Sequence, residues 1–207
     1  MSTSNGKPTS ASEPQCVEDV QGDRRWLSLH ERFISEAAEK EPEVLFLGDS
    51  LFQQLGQTEV WSKMFEPLHS LNFSIGGDQT QNLLWRISNG ELDKMELKII
   101  VVLIGTNNYA HTAEEIAEGI EEIAHIISQK QPQAQIIVMG IPPRGRQPNP
   151  LRDKLSRVNE HLDETIPKIP NCSFLQVDNS LFVHPTTGLI NHHDIFDCIR
   201  VAKEEII

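Results

Sequence analysis

The chain has 207 residues, with 18 Lys+Arg against 30 Asp+Glu and a net charge of −12. That length suits one domain of roughly 100–200 residues, and an apolar content of 38 % is enough for a core. The acidic balance excludes electrostatic docking on a nucleic-acid backbone or an anionic lipid surface, since both need clustered Lys and Arg. No apolar run approaches the roughly 20 residues that span a bilayer. The N-terminal stretch lacks the apolar segment of a secretory signal. Three scattered cysteines, Cys16, Cys172 and Cys198, form neither a disulfide framework nor a metal knuckle. The expectation is a soluble cytoplasmic protein in a reducing compartment, without cofactor or metal.

Residues 1–20 are rich in Ser, Thr, Pro and Glu. So few apolar side chains cannot offset the entropy of ordering, and a disordered tail is expected there, followed by a single domain over 21–207. Trp26, Leu29, Phe33 and Ala37 share one face at helical spacing, which predicts a helix over 26–38. Five short apolar runs then alternate with helix-like stretches. The runs are 44–47, 70–75, 98–104, 135–140 and 173–177; the helical stretches between them are 79–89, 113–129 and 150–166. In the longest, Ile116, Ile120, Ile123 and Ile127 form a stripe, and Thr112 with Glu115 has capping-box spacing. Buried strands alternating with helices predict an α/β fold, a parallel sheet covered on both faces.

Three strand ends carry residues of chemical interest, at the edge of a parallel sheet where ligands bind. They are Gly48-Asp49-Ser50, Gly76-Gly77-Asp78 and Gly105-Thr106-Asn107-Asn108. Ser50, at a strand-to-helix turn, suits a nucleophile whose oxyanion is held by its own amide; the alternative is a plain helix N-cap. Gly77 admits close backbone approach to a ligand, or is simply a turn that needs positive φ. Asn107 offers an amide donor to a developing oxyanion, or closes an Asx-turn.

These three blocks resemble those of the GDSL/SGNH hydrolases. Further stretches, among them Pro67 to Phe73, Trp85-Arg86, Asn89 to Leu92, Arg144 to Leu151 and His193 to Asp197, are similar to the catalytic α subunits of the intracellular type I platelet-activating factor acetylhydrolases. The resemblance runs from about Val20 to Asp197. It implies a flavodoxin-like three-layer α/β/α sandwich on a five-stranded parallel sheet. It also implies a serine esterase that removes the sn-2 acetyl group of platelet-activating factor-like phospholipids through an acyl-enzyme on Ser50. The Ser50 and Gly77 amides and the Asn107 side chain would form the oxyanion hole. Leu51, Thr106 and Ile199 adjoin the site as walls of a small acyl pocket, although core packing also accounts for Leu51 and Ile199. The implied partners are a second, related α subunit, in a homo- or heterodimer, and the WD-repeat lissencephaly regulatory subunit.

The family's late Asp-x-x-His supplies the acid and the base of the triad. Here it reads Asp197-Cys198-Ile199-Arg200, with Arg200 at the histidine position. A guanidinium stays protonated, with a pKa above about 12, and cannot act as base. Residues 198–207 match nothing of the family, and the chain ends before the family's final helix would be complete. A splice variant, an incomplete gene model and a decayed paralogue all fit this pattern. His193, one helical turn before Asp197, is a candidate surrogate base. The adjacent His192 and Asp194 do not make a metal site, since consecutive residues rarely converge on one ion. Cys198 reads as a packed side chain. The alternative function is therefore an impaired subunit that binds or regulates within an acetylhydrolase complex.

Overall fold

The five apolar runs become five parallel strands in a computed structural model that describes residues 10–190. Helix α1 (Arg25–Glu39) precedes β1 (Val44–Gly48). Two short helices follow, α2 (Ser50–Leu55) and α3 (Glu59–Met64). Then come β2 (Ser70–Asn72), α4 (Thr80–Ser88), β3 (Ile99–Leu103), α5 (Ala113–Lys130), β4 (Gln135–Met139), α6 (Pro150–Thr165) and β5 (Cys172–Leu175). The strand order is β2-β1-β3-β4-β5, the flavodoxin-like arrangement. The register pairs Val44 with Ser70 and Ile99, Ile99 with Gln135, and Ile136 with Cys172.

Alternate strand residues face opposite layers. Leu45, Leu47, Ile100, Val102, Ile136 and Val138 pack with the apolar faces of α1, α4, α5 and α6. Val44, Phe46, Val101, Leu103, Ile137 and Met139 pack on the other side with Phe52 and Leu55 of α2, Trp61 of α3, and Phe65. Phe46 is the hub there, meeting Phe52, Trp61 and Phe65 edge-on at ring-centroid distances of 5.1, 5.1 and 5.0 Å. The result is the three-layer α/β/α sandwich. The α5 start carries the reciprocal capping box, with Glu115 N–H donating to the Thr112 hydroxyl and Thr112 N–H donating to the Glu115 carboxylate.

Two expectations change. The run 70–75 yields a strand of only three residues, because the Asn72 side chain turns to donate to the Phe52 carbonyl and accepts from Ser74 N–H. Beyond it, Phe73 and Ile75 still donate to Phe46 and Gly48 carbonyls, carrying the chain along β1 to the next turn. The second change concerns the tail. A disordered segment over 1–20 does not describe residues 10–16, which lie as a strap across α4 and α5. Ala11 is fully buried, and its carbonyl accepts from the Thr80 hydroxyl at 2.7 Å. Gln15 N–H donates to the Gln81 carbonyl, and the Gln15 carbonyl accepts from the Asn82 side chain. Gly119 of α5 makes room for this, since a Cβ there would stand 2.5 Å from the Ala11 oxygen. Composition gave the wrong answer because backbone groups, not apolar side chains, hold the strap.

Candidate active site

The end of β1 hands directly into α2. Asp49 is the N-cap: its carboxylate accepts from Leu51 N–H at 2.9 Å, and its backbone carbonyl accepts from Gln53. Ser50 is therefore the first helical residue and not the cap. No described residue hydrogen-bonds its hydroxyl. Asp49 is fully buried, and its second carboxylate oxygen has no hydrogen-bond partner among the described residues. Burial pushes the Asp49 carboxyl up to about 7; the Leu51 N–H opposes the rise, Asp78 adds to it and the Arg144 charge opposes it.

The turn after β2 comes up beside this serine. A Cβ on Gly76 would lie in ordinary contact with Ser50 Cβ, at 3.7 Å, and would have to displace the end of the Gln53 side chain, whose oxygen stands 2.6 Å away. Gly77 has φ +88°, and the space over its α-carbon is open. Asp78 then anchors the turn from below. Its carboxylate accepts from Arg86 Nε at 2.9 Å and from Trp26 Nε1 at 2.7 Å. Arg86, fully buried, also donates to Glu91 at 2.5 Å and to the Phe73 carbonyl at 2.9 Å, and Glu91 meets His30 Nδ1 at 3.0 Å. Burial holds Asp78 above the usual carboxylate range even with Arg86 and Trp26 drawing it down.

The loop after β3 closes the arrangement. Asn107 Nδ2 donates to the Asp78 carbonyl at 3.0 Å, which ties this loop to the glycine turn, and Asn107 Oδ1 accepts from Arg144 Nη1 at 3.1 Å. The Asn107 side chain thus faces two other loops and does not close an Asx-turn. Its neighbour Asn108 is held by Thr80, Gln81 and His111. A pocket of about 210 Å³ opens at the sheet edge, with Ser50, Leu51, Thr106, Pro142, Arg144 and Ile190 in its wall. A second cleft, of about 460 Å³, lies between residues 17–29 and Gln53, Ile75 and Gly76.

Ser50, Gly77 and Asn107 thus stand at three different strand ends: Gly76 approaches Ser50, Asn107 is bonded to the turn that carries Gly77, and Leu51 and Thr106 share the pocket wall with Ser50. Asp197, Ile199 and Arg200, with His192, His193 and Cys198, lie outside the described residues. Sequence reasoning assigned no part to Asp78, Arg86 or Arg144. A charged residue in an otherwise apolar helical stretch (Arg86) and one after Pro142-Pro143 (Arg144) were the available signals. Among the described residues, no helix is long and apolar enough to cross a membrane.

Comparison with known proteins bears on the family and the fold. Residues 46–189 match the model of the GDSL-like Lipase/Acylhydrolase family. The chain is 52 % identical over 199 residues to platelet-activating factor acetylhydrolase IB subunit alpha2 of Gallus gallus, covering 96 % of this chain and 86 % of that one. It is 49 % identical over 199 residues to the alpha1 subunit of Homo sapiens, covering 96 % and 85 %. Among solved structures, a GDSL-like lipase from Bacteroides thetaiotaomicron superposes with a TM-score of 0.66 at 16 % identity, covering 86 % of this chain and 98 % of that one, a likeness of fold. With most of its length matched to the family model and about half its residues shared with the acetylhydrolase alpha subunits, the chain belongs to the GDSL-like lipase/acylhydrolase family, whose members are esterases.

Proposed function

We propose that this chain is a serine esterase acting on acetyl esters of phospholipids, with Ser50 as nucleophile. One observation carries the reading: Asp49 takes the helix cap, so the Ser50 hydroxyl is left uncommitted in the wall of the pocket at the sheet edge. Attack by Ser50 Oγ on the acetyl carbonyl would form a tetrahedral intermediate. Its oxyanion would be held by the Ser50 and Gly77 amides and by the Asn107 N–H not bonded to Asp78. Collapse expels the alcohol, which takes up the proton that Ser50 gave to the base, His193 on this reading, and leaves an acetyl-serine that water then hydrolyses to acetate. The pocket of about 210 Å³ suits a short acyl group, with Leu51 and Thr106 limiting its length. Asp197 is the proposed acid of the triad, and Ile199 a further pocket wall. The substrate class is taken from the relatives, which are named for platelet-activating factor. A dimer of α-type subunits, a WD-repeat regulatory partner and a cytoplasmic location accompany this reading.

A specific residue favours a second reading. Arg200 stands where the family's histidine is expected, and without a base Ser50 is a poor nucleophile. The chain would then be an impaired subunit retaining its binding surfaces, unless His193 substitutes as base. A fluorophosphonate probe and p-nitrophenyl acetate separate the two. The esterase reading expects labelling at Ser50 and turnover, both abolished in Ser50→Ala. Neither labelling nor turnover in the parent, with turnover gained in Arg200→His, decides for the impaired subunit.

A further inference from the structure

We propose that Arg144 is a positioning residue that fixes the side-chain amide of Asn107 in its oxyanion-binding orientation. This rests on the assignment of Asn107 to the oxyanion hole. An asparagine amide has one acceptor and two N–H donors, and rotation by 180° exchanges them. Here the two ends are sorted by their neighbours. Nδ2 meets a pure acceptor, the Asp78 carbonyl, and Oδ1 meets a pure donor, the Arg144 guanidinium. Rotation would set oxygen against oxygen at Asp78 and N–H against N–H at Arg144. One N–H is consumed by Asp78, and the second is left for a ligand. The cation on the carbonyl side also draws electron density through the amide, which makes the free N–H a stronger donor.

Arg144 is itself held for this task. Pro142 and Pro143 fix the approach of the chain after β4. The Arg144 carbonyl accepts from the Asn149 side chain at 2.9 Å. Its Nη1 also donates to the Thr106 carbonyl at 3.1 Å, and the guanidinium lies over the Tyr109 ring at 4.9 Å. Tyr109, Thr106 and Asn107 belong to one loop, so the guanidinium spans that loop from ring to amide.

Removing an oxyanion donor outright costs about 10²–10³ in kcat; loosening its orientation costs less, about 10- to 100-fold. The test compares Arg144→Ala and Arg144→Lys with the parent in the full chain. It uses p-nitrophenyl acetate kinetics and the exchange rate of the Asn107 side-chain amide protons by NMR, assigned by their loss in Asn107→Ala. The expected result has four parts: a fall in kcat with KM nearly unchanged, an equal fall in the fluorophosphonate labelling rate, partial rescue by lysine, and faster exchange of the Asn107 amide in Arg144→Ala. A kcat within twofold of the parent overturns the proposal. So does a rise in KM alone, which would make Arg144 a substrate-binding group, and so does an unchanged Asn107 amide. A parent chain that neither turns over nor labels removes the esterase reading, and the amide exchange still decides whether Arg144 orients Asn107.

Discussion

Replacing Arg86 by methionine tests the device that holds the glycine turn. The guanidinium is fully buried and serves two buried carboxylates, Asp78 at 2.9 Å and Glu91 at 2.5 Å, as well as the Phe73 carbonyl. Methionine fills most of the volume but leaves Asp78 with Trp26 and Glu91 with His30 as remaining partners. Removing one member of a buried ion pair costs about 3–5 kcal/mol. Two carboxylates lose their cation here, so the upper part of that range applies, about 4–5 kcal/mol, a large share of a total stability of about 5–15 kcal/mol. At about 2–4 °C per kcal/mol for a domain of this size, the melting temperature falls by about 8–20 °C. The pH dependence has a definite sign. Burial already holds Asp78 above its usual range, and without the cation it rises further. A carboxyl raised in the folded state binds its proton more tightly there than in the unfolded chain, so it costs stability as pH rises above the unfolded value near 4. The deficit of Arg86→Met should be largest at pH 8 and should shrink toward pH 4, read from urea midpoints at both. A melting temperature within about 2 °C of the parent at pH 8, or a deficit independent of pH, would refute a charged Asp78–Arg86–Glu91 network.

Three further outcomes follow from the same structure. Gly119→Ala places a Cβ 2.5 Å from the Ala11 carbonyl oxygen and 2.8 Å from the Thr80 hydroxyl. It should release the strap at about 1–3 kcal/mol, seen as lost hydrogen-exchange protection at the Gln15 amide, and an unchanged Gln15 amide would mean the strap is not held there. The Asp49 carboxyl, pushed up to about 7 by burial, takes up a proton on folding between pH 4 and 7, so stability declines as pH rises through that window. Asp49→Asn keeps an oxygen to cap Leu51 and should flatten that slope in urea midpoints from pH 4 to 8; an unaltered slope assigns the titration to another group. Leu51→Ala enlarges the wall beside Ser50. It should move the ratio of kcat/KM for p-nitrophenyl butyrate over acetate upward by about 10- to 200-fold, the scale of one to three kcal/mol in a hydrophobic pocket, and an unmoved ratio would place the acyl group elsewhere.

Local pattern was a good guide wherever the cause was local. The stripe of Ile116, Ile120, Ile123 and Ile127 is the buried face of α5, and Thr112 and Glu115 do form its capping box. Each of the five apolar runs pairs in the sheet, and the chemistry-bearing turns sit at the strand ends. Even the freedom of Ser50 has a local origin, since an aspartate one residue earlier is a good cap. The strand at 70–75 was overestimated because an edge strand has one neighbour, and Asn72 spends its side chain on Phe52, a contact that periodicity does not register.

The sequence by itself determined the five strands and the four longer helices, though not the short helix Glu59–Met64, that the sheet is parallel, and which turn residues could do chemistry, because hydrophobic period and turn chemistry act over a few residues. Tertiary structure alone decided what those turns rest on. The strap is tied to α4 by hydrogen bonds between residues about 70 positions apart in the chain. Asn107 takes its orientation from Asp78 and Arg144, 29 and 37 positions away. A hydrogen bond is set by position in space, and only the parallel sheet, which brings every strand end to one edge, puts these groups within 3 Å or so of each other.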